Sequence, residues 1–376
     1  MKQISKFKID KILLLILIIF FIISLITIYS AQTILPSYMN YLVYKQLLWY
    51  IAGFATMFLI IFIGNDFFYK NSWYFYIFSI LSLILLLIFG TSINNAKCWF
   101  TIPGIGTIQP SEFMKIFLII TLAKMIHNFN ENHKNPSVKE EFIFLLKIGI
   151  IVFIPSVLTF IQPDTGVVLI YLLITIVMLF IAGIRYRWFG ILIIAAILSV
   201  GSILLIYFIN KDLFIKIFGS SFFLRVDRLL DWSNKSGYQL ENGLTAISSG
   251  GLLGFGFNKT PIYFPEPQTD FIFAVYASNF GFVGSLTLLI LILLFDLRII
   301  KIASNNNTKI NKYIISGIIG MLIYQQLQNI GMTIGLMPIT GITLPFISYG
   351  GSSLISYMIM MGFVFNISNE TIRYTN

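Results

Sequence analysis

A single aspartate, Asp270, lies in the stretch FPEPQTDFIF, where two prolines give way to an apolar run. At the edge of such a run a carboxylate can stay hydrated, and an ionised carboxylate can act as a general base. The same position suits a helix N-cap, because the carboxylate accepts backbone N–H bonds at the positive end of the helix dipole. The residue alone therefore leaves a catalytic and a capping role open.

Two further motifs place charged side chains at the start of an apolar run. In QPSEFMK, Glu112 and Lys115 are three residues apart and so lie on one face of a first helical turn. They can form an ion pair behind a cap by Ser111, or Lys115 can bind a phosphate group of a ligand in this region of low dielectric constant. In QPDTG, Asp164 begins an apolar run and is predicted to cap the helix that follows.

A basic pair lies in the stretch FFLRVDRLLDW. Arg225 and Arg228 are three residues apart and share one face of a predicted helix. Guanidinium groups can bind a phosphate through two parallel hydrogen bonds, so the pair is a candidate phosphate site. It can equally be a solvated helix face, and the sequence leaves both interpretations open.

The composition identifies the elements that must position these groups. Of 376 residues, 57% are hydrophobic and 11% are charged, which is typical of an integral membrane protein. Apolar runs of roughly 17–25 residues are long enough to cross the hydrocarbon core as helices. We predict an all-α polytopic membrane protein, a single domain over residues 1–376, with about ten transmembrane helices. The predicted spans are 12–29, 47–63, 73–89, 113–126, 142–161, 167–184, 188–209, 271–297, 313–337 and 352–367.

The distribution of basic residues predicts the orientation. Most of the 25 lysines and arginines fall in segments that are cytoplasmic if the N-terminus is cytoplasmic. Both termini are then inside, and residues 210–269 form one large extracytoplasmic loop between the seventh and eighth spans. The first apolar run is too long for the h-region of a signal peptide, so we predict a retained anchor. The net charge of +10 reflects this bias and an affinity for anionic membrane lipid, and no nucleic-acid partner is predicted.

The positions of histidine and cysteine exclude several kinds of catalytic and metal site on the predicted outer face. The two histidines, His127 and His133, flank a predicted inner loop, which excludes a Ser-His or Cys-His nucleophile and a histidine-bound zinc outside. Cys98 is the only cysteine, so no internal disulfide can form. Any metal would be a hard, oxygen-bound cation such as Mg²⁺ or Mn²⁺, with Asp270 as a candidate ligand. No organic cofactor is predicted.

Several motifs, taken in order, resemble one known family. They are QPSEFMK, QPDTG, GYQ followed by GGLLGFG, PEPQTDFIFA and PFISYGGSS, and they are similar in order and topology to the SEDS (shape, elongation, division, sporulation) membrane proteins. The resemblance runs from the first predicted span to the last. Within the family, NIGMTIGLMPITGITLPFISYGGSS is more similar to RodA, the elongation group, than to FtsW, the division group.

The resemblance implies a peptidoglycan glycosyltransferase of the bacterial cytoplasmic membrane. Such an enzyme polymerises lipid II on the outer face, releases undecaprenyl pyrophosphate and works with a class B penicillin-binding transpeptidase. In the family the aspartate of the TDFIF motif is essential for polymerisation, and here that residue is Asp270. Trp99, Glu112 and Lys115 match positions in the family's outer cavity. Gln268 stands where members commonly have histidine, so a histidine proton relay is not available.

The resemblance also implies roles for individual residues. Asp270 would deprotonate the C4 hydroxyl of the acceptor sugar, or would bind a metal that positions it. Lys115, Arg225 and Arg228 would bind the pyrophosphate, with Glu112 holding Lys115 in place. A β-linked product from an α-linked donor indicates one in-line displacement. A lipid II flippase and a non-catalytic scaffold for a transpeptidase remain as alternatives.

Overall fold

Helices make up most of the described part of the chain. The computed structural model describes residues 7–93, 96–102, 104, 106–220, 222–223, 226 and 237–374. The helices are α1 (Lys11–Gln32), α2 (Leu42–Ile63), α3 (Asn65–Lys70), α4 (Ser72–Phe89), α5 (Pro110–Asn132), α6 (Val138–Ile161), α7 (Thr165–Ile181), α8 (Tyr186–Ile209), α9 (Lys211–Phe218), α10 (Tyr238–Ser249), α11 (Ile272–Asn305), α12 (Lys309–Thr333) and α13 (Gly351–Tyr374). All except α3, α9 and α10 have 17 residues or more.

The long helices confirm the predicted all-α polytopic fold. Each predicted span lies largely within one of them. Among the described residues, 7 helices are long and apolar enough to cross a membrane, and α7 is apolar but shorter. α5 and α12 carry more polar side chains, because neighbouring helices and not lipid surround most of their length. The count of ten spans therefore stays a prediction, as does the outer position of the segment 210–269, which contains α9 and α10.

Close helix packing surrounds α5, α12 and α13. α13 packs against α2, α12 against α7, and α5 against α4. At Gly317 of α12, an added Cβ would lie 2.8 Å from Met178 Sδ and 2.9 Å from Ile119 Cγ2, so a small residue is needed where α12 meets α7 and α5. The outward faces of α1, α2, α4, α6, α8 and α11 carry exposed Leu, Ile and Phe side chains, as expected for lipid-facing surfaces.

Both ends of the described chain lie at the same end of the helix bundle. The buried Asp10 caps α1 and accepts from the guanidinium of Arg298 at 2.7 Å and from the hydroxyl of Ser368 at 3.2 Å. The backbone N–H of Lys8 donates to the side-chain oxygen of Asn369 at 2.9 Å. These contacts tie α1, α11 and α13 together, and we call this the terminal end.

A small antiparallel sheet, which the all-α prediction did not include, joins α4 to α5. Its strands are β1 (Thr91–Ile93), β2 (Ala96–Ile102) and β3 (Gly106–Ile108), in that order. The strands have only 3, 7 and 3 residues, so they do not stand out in a sequence dominated by apolar runs of helical length.

α11 is broken at Gly281, where φ is 64° and ψ is −162°. The break leaves backbone groups of α11 without helical partners, and the glycine-rich segment GGLLGFG supplies them. The N–H of Phe255 donates to the carbonyl of Ser278 at 3.0 Å, and the N–H of Phe282 donates to the carbonyl of Gly251 at 2.9 Å. Irregular backbone at membrane depth is tolerated only when protein satisfies its polar groups in this way.

We predict that Gly254→Ala destabilises the protein. Gly254 has a φ of +77°, and a Cβ there would clash with the backbone carbonyl of Asn279. A non-glycine residue held in this backbone conformation lowers the free energy of unfolding by on the order of 1–3 kcal/mol. The measurement is the melting temperature of the purified protein in detergent. Gly201→Ala is the control, because this helical glycine has no atom within 4 Å of an added Cβ. Equal melting temperatures for the two variants would contradict the prediction.

Candidate active site

A cavity of about 580 Å³ lies at the opposite end of the bundle, which we call the cavity end. Its wall combines the starts of α2, α5, α7 and α13, strands β2 and β3, the segment before α11 and the segment after α12. The charged residues that line it within the described part of the chain are Lys45, Glu112, Asp164, Glu266 and Asp270. Carboxylates therefore dominate the charge of its surface.

Three successive backbone carbonyls, at residues 268–270, are held by hydrogen bonds from α12 and from the segment that precedes α13. The bonds run from the Tyr349 N–H to Gln268 O (2.9 Å), from the Ser348 hydroxyl to Thr269 O (2.7 Å) and from the Asn329 amide to Asp270 O (2.9 Å). Asn329 is fully buried, and its amide also donates to the carbonyl of Ile342 at 2.8 Å. The backbone around Asp270 is thus fixed by tertiary contacts.

The carboxylate of Asp270 lies in the cavity wall and does not cap α11. The helix begins at Ile272, and no side chain accepts a hydrogen bond from its first turn, so the capping interpretation is wrong. The pKa of the Asp270 carboxyl is raised to about 7, first by burial and then by the negative charge of Glu266. A pKa close to the working pH is what a general base requires.

Glu266 is a second carboxylate beside Asp270, and the sequence analysis missed it. Its backbone φ is 54°, in the left-handed region, and its carboxylate accepts from the Gln268 amide at 3.0 Å and the Thr269 hydroxyl at 2.9 Å. Strained backbone of this kind persists only where surrounding structure requires it. The sequence feature that could have identified Glu266 is its position between two prolines in the motif that contains Asp270.

Glu112 and Lys115 form a buried ion pair. Lys115 Nζ lies 2.7 Å from Glu112 Oε2, and the lysine side chain is 0% exposed. The Ser356 hydroxyl also donates to Glu112 at 3.3 Å. Glu112 lines the cavity and Lys115 does not, so the predicted contact of Lys115 with a phosphate stays a prediction that requires this pair to open. The predicted cap by Ser111 is wrong, because α5 already begins at Pro110.

Asp164 caps α7, as predicted. Its carboxylate accepts from the Val167 N–H at 3.2 Å and from the Gln109 amide at 2.7 Å, so it also holds the start of α5. Burial raises the pKa of Asp164 to about 6, although these hydrogen bonds oppose the shift. The residue combines a structural role with a place in the cavity wall.

The remaining predicted site residues have different outcomes. Trp99, on β2, is half-buried and lines the cavity. Arg225 and Arg228 lie outside the described residues. Lys45, in the first turns of α2, was not predicted, because only the packing of α2 against α13 brings it to the cavity.

At two places in the sheet, neighbouring residues line different surfaces. Trp99 and Thr107 line the cavity, whereas Phe100 and Ile108, which pair across β2 and β3, line an apolar groove of about 770 Å³. Aromatic side chains of α4 and α5, such as Phe113, complete the groove. The alternation of side chains along a strand therefore makes the sheet a wall between a polar cavity and an apolar groove.

No group of three or more His, Cys, Asp or Glu side chains in the described ranges could hold a metal ion. Asp270 and Glu266 both line the cavity and could supply two oxygen ligands to a hard cation. The other ligands of such a cation would have to come from substrate or water.

The FtsW/RodA/SpoVE family model, described as "Cell cycle protein", matches residues 10–373. The chain belongs to this family. Similar relatives include the stage V sporulation protein E of Bacillus subtilis (strain 168), which is 34% identical over 97% of this chain and 98% of the relative. A chain from the structure of a peptidoglycan synthase complex that coordinates polymerization and crosslinking has a TM-score of 0.79 and 26% identity, with 96% of this chain and 98% of that chain covered.

RodA of Thermus thermophilus also has a similar structure, with a TM-score of 0.69 and 27% identity over 96% of both chains. The family prediction is therefore confirmed, and the protein is a bacterial membrane protein. Curated relatives carry the names SpoVE, FtsW and RodA. Assignment to the elongation group within the family accordingly stays a prediction.

We predict that Glu112→Gln destabilises this family member strongly. The change leaves the ammonium of Lys115 buried without a carboxylate, and breaking a buried pair typically costs about 3–5 kcal/mol of unfolding free energy. The measurement is the melting temperature of the purified protein. The double variant Glu112→Gln/Lys115→Met removes both charges and should recover most of the loss. A single variant as stable as the wild type would show that the ion pair does not hold α5 in place.

Proposed function

We propose that the protein is a peptidoglycan glycosyltransferase that polymerises lipid II and releases undecaprenyl pyrophosphate. The observation that carries the proposal is the carboxylate of Asp270, which lies in the wall of a polar cavity with its pKa raised to about 7. Relatives named peptidoglycan glycosyltransferase RodA and probable peptidoglycan glycosyltransferase FtsW support it. The predicted role in cell elongation belongs to the proposal in the same way.

The chemistry requires little more than one base and charge neutralisation. The sugar hydroxyl must lose a proton as it attacks the anomeric carbon, and a positioned carboxylate can accept it. Pyrophosphate leaves readily once its negative charge is stabilised. Asp270 is the proposed base, and an α-linked donor then gives a β-linked product in one in-line displacement.

The apolar groove beside the cavity supports a lipid-linked substrate. Its lining by aromatic side chains of α4, α5 and the sheet suits an isoprenoid chain, which is driven out of water by the hydrophobic effect. Only the thickness of the sheet separates this groove from the polar cavity. A substrate with a polar head and a long apolar tail would need both environments next to each other.

The proposal favours catalysis over the two alternatives. Transporters place ionisable residues along their substrate path, but the buried Asp296 of α11 does not line the cavity and accepts a hydrogen bond from Gln326 at 3.1 Å. A scaffold would need a surface for its partner, but it would have no need of a carboxylate in the wall of a cavity with its pKa near neutral pH.

The proposal includes a partner and an orientation. The similarity to a chain of a peptidoglycan synthase complex supports a penicillin-binding protein as partner, and we propose a class B transpeptidase. Both ends of the described chain lie at the terminal end of the bundle, opposite the cavity. With cytoplasmic termini, as the basic residues predict, the cavity faces the outside, where cell-wall polymer is assembled.

We predict that Asp270→Asn abolishes glycan polymerisation, with a loss of roughly 100-fold or more, because the amide cannot accept the proton. The measurement is a gel assay of glycan chains made from lipid II by purified protein with its partner transpeptidase. Parallel samples with EDTA, Mg²⁺ or Mn²⁺ test the predicted divalent cation. An unchanged melting temperature is the control for folding. Polymer made by the variant at the wild-type rate would refute the role of Asp270.

The pH dependence of polymerisation gives an independent test. A base must be ionised, so kcat/KM should rise with pH and level off above about 7, the pKa of Asp270. Glu266→Gln removes the neighbouring negative charge that helps to raise this pKa, so the rising part of the profile should move to lower pH. Initial rates measured across the pH range in both proteins provide the data. A wild-type profile that is flat through pH 7 would argue against the proposed base.

A further inference from the structure

The cavity has an uneven distribution of charge. Within the described residues its lining carries four acids, Glu112, Asp164, Glu266 and Asp270, and a single base, Lys45. The positive charge of Lys115, which is buried behind the cavity wall, balances the negative charge of Glu112. An anionic part of a ligand is therefore repelled from the carboxylates and attracted towards Lys45.

Lys45 occupies a position that local helix energetics disfavour. It lies in the first turns of α2, which begins at Leu42, where the helix dipole favours acidic and not basic side chains. No acid in the described part of the chain forms an ion pair with it. Its Nζ lies 4.5 Å from the centroid of the Tyr41 ring, at the rim of the cavity. A cation that lines a cavity and has no acidic partner in the described chain is available to bind an anionic group of a ligand.

Two other lysines of the described chain are less well placed for this role. Lys115 is fully buried and bound to Glu112. Lys97 donates to the carbonyl of Leu87 at 2.7 Å and does not line the cavity. Lys45 is thus the cation that the described structure presents to a ligand in the cavity.

We propose that Lys45 binds the pyrophosphate of the lipid-linked sugar donor, an inference that rests on the proposed function. The ammonium group would contact the phosphate oxygens directly and stabilise the charge that develops on them. An in-line displacement requires the base and the leaving group on opposite sides of the reacting carbon. Asp270 precedes α11 and Lys45 lies on α2, so the two side chains line the cavity from different segments of the chain.

The displacement forms one bond at the anomeric carbon and breaks one. The acceptor oxygen forms a bond to the anomeric carbon, and its proton moves to the Asp270 carboxylate. The bond between that carbon and the pyrophosphate oxygen breaks, and its electron pair stays on the pyrophosphate. Lys45 keeps its proton throughout and supplies positive charge only.

The test compares the binding of two ligands that share one apolar chain. Undecaprenyl pyrophosphate carries the charge that Lys45 would bind, and undecaprenol does not. Binding to the purified full-length protein can be followed by tryptophan fluorescence, since Trp49 and Trp99 line the cavity. The variants are Lys45→Gln, Lys45→Arg and, as a matched control, Lys259→Gln, which removes an exposed lysine away from the cavity.

We expect Lys45→Gln to weaken binding of undecaprenyl pyrophosphate by about tenfold or more, the usual effect of losing a hydrogen bond to a charged group. Binding of undecaprenol should not change, Lys45→Arg should retain most of the affinity, and Lys259→Gln should match the wild type. In the polymerisation assay Lys45→Gln should raise the KM for lipid II and lower kcat, because the ammonium also stabilises the charge that develops on the leaving group. A general packing defect would instead weaken the binding of both ligands.

Two results would overturn the inference while leaving the proposed function in place. One is a polymerising wild type whose affinity for undecaprenyl pyrophosphate is unchanged by Lys45→Gln. The other is an equal loss of affinity for both ligands in that variant. A wild type that neither polymerises lipid II nor binds undecaprenyl pyrophosphate would contradict the proposed function itself, and this inference with it.

Discussion

Backbone carbonyls outside a helix need donors when they lie at the edge of a hydrocarbon layer, and residues 268–270 present three in a row. The donors come from Tyr349, Ser348 and Asn329, which belong to α12 and to the segment before α13. The carboxylate of Asp270 therefore has a defined position only when these helices are packed together. The geometry of the candidate site therefore depends on the assembled helix bundle more than on the sequence motif that contains Asp270.

The same constraint governs the other end of the buried first part of α11. There the glycine-rich segment pairs with the backbone groups that the break at Gly281 leaves open. The first part of α11 is thus held at both ends by backbone that is not helical. Its direction can differ from that of the long second part, so Asp270 is positioned independently of the helix that crosses the remainder of the bundle.

Sequence patterns predicted the long helices, the pairing of Glu112 with Lys115 and the cap by Asp164. The long apolar runs located the helices, and the spacing of Glu112 and Lys115 allowed the ion pair that the structure contains. Residues whose roles depend on contacts between distant segments were harder to infer. Lys45 reaches the cavity only through the packing of α2 on α13, and Glu266 through a left-handed turn between prolines. The capping role considered for Asp270 is wrong because α11 starts two residues later.

The sheet between α4 and α5 separates a polar cavity from an apolar groove, because side chains that follow one another along a strand point to opposite faces. Phe100 faces the groove because Trp99 faces the cavity, and the same relation links Thr107 and Ile108. Inserting or deleting one residue in β2 would exchange the two faces, placing an indole towards lipid and a phenyl ring among the carboxylates. Changes in the length of this strand should therefore be tolerated only in steps of two residues.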